Sequence, residues 1–401
     1  MQSIRQIYKI GKGPSSSHTM GPERAAGVFR SSTPEADRYR VILYGSLSKT
    51  GVGHGTDRVL VQELSPVPTE IVFGGDSPEG CHPNTMDFFA EKDGTQIGFL
   101  RAESIGGGDI RFPGSTIADD PDVYPENSFS EVSRFCKWNY IPTLSRFVEL
   151  REGPEIWDYL AQVWKVMKQA IQDGLSVTGT LPGGLNVQRR AQFLLSQHSP
   201  TEAEPVRECR HISAYAFAVA EQNADNGTIV TAPTCGACGV VPAVLKYFQD
   251  TRNASDEQIL RGLAAAGLIG SITKKNASIS GAECGCQAEI GTACSMAAAA
   301  LAEMYGLELD QVEYAAEIAM EHHLGLTCDP ICGLVQIPCI ERNAVAAMRA
   351  MNACNLSYFL YTTRNISYDM VVKAMRDTGI NLREQYRETS EGGLARIYET
   401  I

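Results

Sequence analysis

The sequence predicts two unlike parts: an α/β N-terminal domain over 1–135 and a larger all-α C-terminal domain over 136–401. Three observations carry that expectation. Runs with strand character at 39–44, 69–73 and 96–100 all fall in the first part. From Ile156 onward apolar residues recur at helical spacing, beginning with Ile156, Leu160, Val163, Met167 and Ile171. Between the two, 119–133 is rich in Pro, Asp, Glu and Ser, the composition of a linker, which is placed within or just after it.

The chain opens with Met1-Gln-Ser-Ile-Arg-Gln-Ile-Tyr-Lys-Ile10, which alternates polar and apolar residues and lacks the apolar core of a secretory signal. A cytoplasmic protein is therefore expected. Gly11-Lys-Gly-Pro-Ser-Ser-Ser-His-Thr-Met-Gly-Pro-Glu-Arg24 is a flexible stretch ending where Pro22 and Glu23 mark the first turn of a helix that runs to Val28. Free N–H groups and hydroxyls at such a terminus can hold a carboxylate, with His18 in reach as a proton carrier; a capped surface turn is the plainer alternative. The GxG around Lys12 does not make a phosphate loop, because the rest of that pattern is missing.

After the strand at 39–44 comes a glycine-rich loop, 45–57, and then a helix. In that loop His54 is flanked by Gly53 and Gly55, so little side-chain cover is expected beside it, as suits a histidine exposed in a cleft. The second part reads as helices at 213–219, 256–269, 292–302, 310–323, 343–351 and 367–375, with Gly174 as the cap of the helix that opens it. The alanine runs 264–266 and 297–300 are expected contact seams between closely packed helices. The uncharged run 226–245 is as long as a membrane span, but its prolines, glycines and polar groups point to a buried or site-lining loop.

Composition sets limits on function. With 35 Lys+Arg against 47 Asp+Glu, a net charge of -12 argues against a nucleic-acid or anionic-membrane partner. Seven of the twelve cysteines lie between Cys284 and Cys354, a clustering that suggests metal binding or catalysis. Zinc would fit the pairs Cys235/Cys238, Cys284/Cys286 and Cys328/Cys332 on spacing alone, yet a large helical domain has no need of a structural zinc. A redox pair at Cys235 and Cys238 lacks the βαβ surroundings it requires. An iron-sulfur cluster held by thiolates is the favoured reading, although spacing does not choose its ligands.

Taken together and in order, Ser15-Ser-Ser-His-Thr-Met-Gly-Pro22, Gly53-His-Gly-Thr-Asp57, Leu181-Pro-Gly-Gly-Leu185 with Arg189-Arg-Ala191, Thr231-Ala-Pro-Thr234, Gly236-Ala-Cys-Gly-Val-Val-Pro-Ala243 and Glu388-Thr-Ser-Glu-Gly-Gly-Leu-Ala395 resemble the iron-sulfur-dependent bacterial L-serine dehydratases. The likeness runs nearly end to end. It implies an α/β domain meeting an all-α domain at a [4Fe–4S] cluster held by Cys286, Cys328 and Cys339, with one iron lacking a protein ligand. It further implies conversion of L-serine to pyruvate and ammonia without pyridoxal phosphate, two site histidines at His18 and His54, and a homodimer. One of the histidines is expected to take the α-proton, while Ser15, Ser16, Ser17 and Thr19 hold the substrate carboxylate. Two departures stand out: Cys235 replaces a frequent asparagine, and the chain ends Glu399-Thr-Ile401, without the terminal cysteine of some members. L-Threonine remains an alternative substrate, since one methyl group separates the two. A non-enzymatic iron-sulfur sensor or a zinc-stabilised protein is the alternative of another class.

Overall fold

The computed structural model describes residues 1–114, 121–197 and 200–398. Its first half holds a five-stranded sheet built from β2 (Arg38–Leu43), β3 (Thr69–Phe73), β4 (Thr85–Lys92), β5 (Thr95–Gly106) and β6 (Asp109–Arg111), in the order β3-β2-β4-β5-β6. Only the β2/β3 pair is parallel. Along β2 the residues Tyr39, Val41 and Leu43 alternate inward, and the helices Gly21–Ser32 and Thr56–Leu64 cover them with Phe29 and Leu60. That alternation makes one apolar core for the α/β part.

A second, two-stranded sheet joins β1 (Ile10–Lys12) to β7 (Thr228–Val230), with Ile10 opposite Val230. It ties the N-terminal strand to the helical half of the chain. Met1, Ile4, Ile7 and Tyr8 are buried in the helical core, where Gly267 and Gly270 leave room for Ile4 and Ile7; a Cβ on either glycine would come to 2.9 and 3.0 Å from those side chains. The segment packs against the helix Asp256–Asn276, with a short 3-10 turn at Ile4–Gln6.

The helical half is dominated by Ile156–Ser176, Glu204–Ala224, Val240–Arg252, Asp256–Asn276, Thr292–Met304, Leu309–Glu321, Cys339–Leu360 and Tyr368–Asn381. Local chemistry sets several starts: Ser255 and Gln258 form a reciprocal capping box, and Ser367 caps the last of these helices at Met370. The alanine runs at 264–266 and 297–300 are wholly buried, as a close helix-helix seam requires. All six helices predicted from the pattern are present, most with longer ends.

Three local expectations are corrected. Gly174 lies inside its helix rather than capping it, because a Cβ there would come to 2.1 Å from the Ala218 carbonyl oxygen; the glycine serves a helix crossing. Residues 226–245 are not one loop: they hold β7 and the start of Val240–Arg252. Within 45–57, Gly45–Thr50 is itself a short helix. Of the proposed linker, residues 119 and 120 lie outside the described residues, and Phe129–Trp138 is a helix capped by Ser128.

Side chains cross between the two halves. Asp109 on β6 accepts from both Lys9 and Lys274, the latter from the helix Asp256–Asn276. Lys49 reaches Glu384 at 2.9 Å and Glu391 at 3.3 Å. Among the described residues no helix is long and apolar enough to cross a membrane.

Candidate active site

The serine-rich segment folds as a wide turn, Ser16–Met20, that runs straight into Gly21–Ser32. Ser15 caps it: its Oγ accepts from the His18 N–H at 3.1 Å, while the Ser15 N–H donates to Thr19 Oγ1 at 3.3 Å. These bonds aim His18 inward, and its ring is fully buried. Of the four expected carboxylate-binding residues, Ser17 contacts the His18 ring, Ser15 contacts Ser17 at 3.3 Å, and Thr19 donates to the His54 carbonyl at 2.9 Å. Among the described residues, only the Ser16 hydroxyl of the four makes no such bond.

The structure brings His54 against His18, with ring centroids 4.4 Å apart. The exposure expected for His54 is not found: the residue is 1% exposed. Its flanking glycine has a different cause, since a Cβ on Gly53 would come to 2.7 Å from the Cys332 carbonyl oxygen. Gly53 is small so that another chain segment can pass.

Hydrogen bonds assign the protons of both rings. His54 Nδ1 lies 3.1 Å from the Thr50 carbonyl oxygen, which can only accept, so Nδ1 carries the proton and Nε2 the lone pair. Ser46 Oγ donates to the Glu388 carbonyl at 2.6 Å and therefore accepts from His18 Nε2 at 3.0 Å. His18 Nδ1 is left to accept from Ser17 Oγ at 2.9 Å. Burial pulls the His54 pKa down to about 4, against the Thr50 bond, and burial with the neighbouring His54 holds His18 well below the usual histidine value. Both rings are neutral at neutral pH.

The cysteines come from the helical half. Cys286 follows the short helix Gly281–Cys284, Cys328 is held by its N–H donating to the Tyr386 carbonyl at 2.9 Å, and Cys339 is the first residue of Cys339–Leu360. A hydrogen bond from Cys328 draws the Cys286 pKa down to about 6 in spite of burial, and Arg342 adds to the pull. The same contact, with burial, pushes Cys328 up, and burial pushes Cys339 up. Arg342 interacts electrostatically with all three sulfurs and is itself fixed by Thr327 and Asp329. Among the described residues no three His, Cys, Asp or Glu side chains stand close enough together to hold a single ion.

Cys284 packs against the position of Gly379, and Cys332 is exposed with a left-handed φ of 54°. Cys235 is buried against Met20, its sulfur 3.4 Å from the Met20 sulfur, beside the serine-rich turn. Lys274 is tied to Asp109.

Sequence reasoning missed three groups here. Ser46 orients His18, Arg342 faces the cysteines, and Glu388 sits 3.5 Å from His18 Nδ1 with its carboxyl buried. Glu388 stood in a motif, Glu388–Ala395, and only its place in the fold gives it a neighbour.

Comparison with known proteins fits this constellation. The profile described as serine dehydratase beta chain matches residues 3–70, and that described as serine dehydratase alpha chain matches 90–395. The chain belongs to the serine dehydratase family. Both chain types follow one another in one polypeptide, which makes this the single-chain bacterial form. It is 39% identical to L-serine dehydratase 2 and 41% identical to L-serine dehydratase TdcG, both of Escherichia coli strain K12, and 39% identical to an L-serine dehydratase of Streptomyces coelicolor. Each comparison covers 98% of this chain and 98–99% of the relative. Family membership makes the chain a lyase.

Proposed function

We propose that the protein is an L-serine ammonia-lyase that forms pyruvate and ammonia by β-elimination, with a [4Fe–4S] cluster held by Cys286, Cys328 and Cys339. The observation that carries this reading is the His18–His54 pair, buried 4.4 Å apart beside a segment that also carries Cys328. Elimination needs a base at the α-carbon and assistance for a poor leaving group, here hydroxide.

His54 is the base. Its Nε2 holds a lone pair, and among the described residues that nitrogen makes no hydrogen bond, whereas both nitrogens of His18 are engaged by hydroxyls. The Thr50 carbonyl keeps the tautomer correct and stabilises the ring once it gains the proton. His18, locked by Ser17 and Ser46, positions the His54 ring and keeps water from it. The Ser16 hydroxyl and the first N–H groups of the turn bind the substrate carboxylate, and Ser15, Ser17 and Thr19 shape that turn, the hydroxyls of Ser17 and Thr19 donating to His18 Nδ1 and the His54 carbonyl.

The donor set fits the cluster by its chemistry. Cys286 is poised as a thiolate, Cys339 sits at the positive end of a 22-residue helix, and Arg342 balances the thiolate charge. The chemistry that such a cluster supplies when bound is Lewis acidity at an iron without a protein ligand, directed at the substrate hydroxyl. The enamine released by elimination tautomerises and hydrolyses without further catalytic groups. No pyridoxal phosphate is required in this scheme.

A pyruvate assay on L-serine with anaerobically purified protein tests the reading. Pyruvate together with a broad brown absorbance band is expected; a Schiff-base band, or 2-oxobutyrate from L-threonine formed faster than pyruvate from L-serine, would overturn it. A cytoplasmic homodimer belongs to the same proposal, and sedimentation under reducing conditions checks the dimer.

A further inference from the structure

Glu388 is a buried carboxyl of the site that makes no ion pair with a Lys or Arg among the described residues. Its backbone is pinned on both sides: the N–H donates to the Cys328 carbonyl at 2.8 Å, and the carbonyl accepts from Ser46 Oγ at 2.6 Å. Between those bonds the residue adopts a left-handed φ of 58°, which a side chain takes up only when its surroundings impose it. The side chain is 5% exposed. One oxygen, Oε1, lies 3.5 Å from His18 Nδ1, and the other, Oε2, has no hydrogen-bond partner among the described residues.

Its neighbours offset it only in part: the Ala282 N–H favours the carboxylate, while the nearby Glu289 and Cys286 are of the same sign. Glu289 differs in being met by Thr234 Oγ1 at 2.7 Å. A buried carboxyl with an open oxygen, beside other acidic groups, is a place that wants a cation with several N–H donors. An α-amino acid brings one on the same carbon that loses its proton. The group that receives this ammonium must stand beside the histidine pair and next to the serine-rich turn, because an α-amino acid carries its ammonium and carboxylate on one carbon. Glu388 does so: its Oε1 and Ser17 Oγ approach the same His18 Nδ1, at 3.5 and 2.9 Å.

We propose that the Glu388 carboxylate binds the α-ammonium of the substrate and so makes the site select amino acids over acids that lack the amino group. This rests on the reading of the site as one for amino-acid β-elimination. Two non-reacting ligands separate the ends of the substrate: L-alanine keeps the ammonium and lacks the hydroxyl, and 3-hydroxypropionate keeps the hydroxyl and lacks the ammonium. Their dissociation constants are measured by anaerobic calorimetry on the cluster-containing wild type, E388Q and E388D.

E388Q is expected to weaken L-alanine at least about tenfold and to leave 3-hydroxypropionate within about twofold, as loss of a charge-assisted hydrogen bond demands. E388D is expected to keep part of the preference for L-alanine, and it decides the matter by the same ratio if E388Q does not fold. Equal weakening of both ligands, or of neither, would overturn the proposal. Because neither ligand is turned over, a wild type that forms no pyruvate from L-serine would defeat the proposed function without touching this result.

Discussion

His54 shows how one side chain is tuned by a single backbone oxygen. The Thr50 carbonyl fixes which nitrogen is bare, and burial keeps the ring neutral by drawing its pKa down to about 4. A base must be unprotonated to act, so the acid limb of kcat/KM is expected well below the ordinary histidine range near 6.5. A pH profile with its acid limb at or above that value would exclude a buried neutral base. The same shift acts on stability: the folded state binds this proton less readily than the unfolded chain, so stability is full above about 6.5 and falls as pH drops toward 4. Replacing His54 with asparagine should flatten that fall and lower turnover by roughly 10²–10⁴, with the brown absorbance intact. Of these residues, His18 and His54 were legible in the sequence, because histidines amid serines and glycines are conspicuous. Ser46 and Glu388 were not, since their roles arise from contacts across more than 300 positions. The burial of His54 was misread, because a glycine neighbour looks the same whether it leaves space open or lets a backbone pass.

Helices and turns carry the next level of explanation. Glycine inside a helix ordinarily costs about 1 kcal/mol against alanine. Gly174→Ala is nevertheless expected to destabilise, by about 1–3 kcal/mol, since its Cβ would meet the Ala218 carbonyl oxygen at 2.1 Å. Thermal unfolding of G174A decides it: a melting temperature at or above that of the parent would show that the crossing is not tight. The helices themselves were readable from period and caps, and Ser255 with Gln258 announces its helix in four residues. The short helix Gly45–Thr50 and the wide turn Ser16–Met20 were not. Neither has an apolar period; each is held by bonds to the other or to distant segments, such as Thr56 Oγ1 donating to the His18 carbonyl at 2.5 Å.

At the scale of the whole molecule, two cores are joined by a polar seam, and the candidate site lies along it. The histidines come from the sheet-containing half, the cysteines and Glu388 from the helical half, and Ser46, Lys49 and Asp109 are among the residues that bridge them. Weakening the seam should uncouple activity from folding: Lys49→Ala removes contacts to Glu384 and Glu391 that are partly solvent-exposed, so a change in melting temperature of only 1–2 °C or less is expected for a pair worth at most about 1 kcal/mol. The composition of two unlike halves was visible from the strand and helix patterns. That the first eight residues pack in the helical core was not, because a short apolar segment carries no address for its partner.

The central claim is that Cys286, Cys328 and Cys339 hold a four-iron cluster whose acid-base partners stand in the other half of the chain. Iron and acid-labile sulfide, assayed on anaerobically purified wild type alongside C286S, C328S and C339S, test it most directly. About four iron and four sulfide per chain are expected in the wild type, with clear loss in each variant; zinc in their place, or a full iron content in all three variants, would contradict the account.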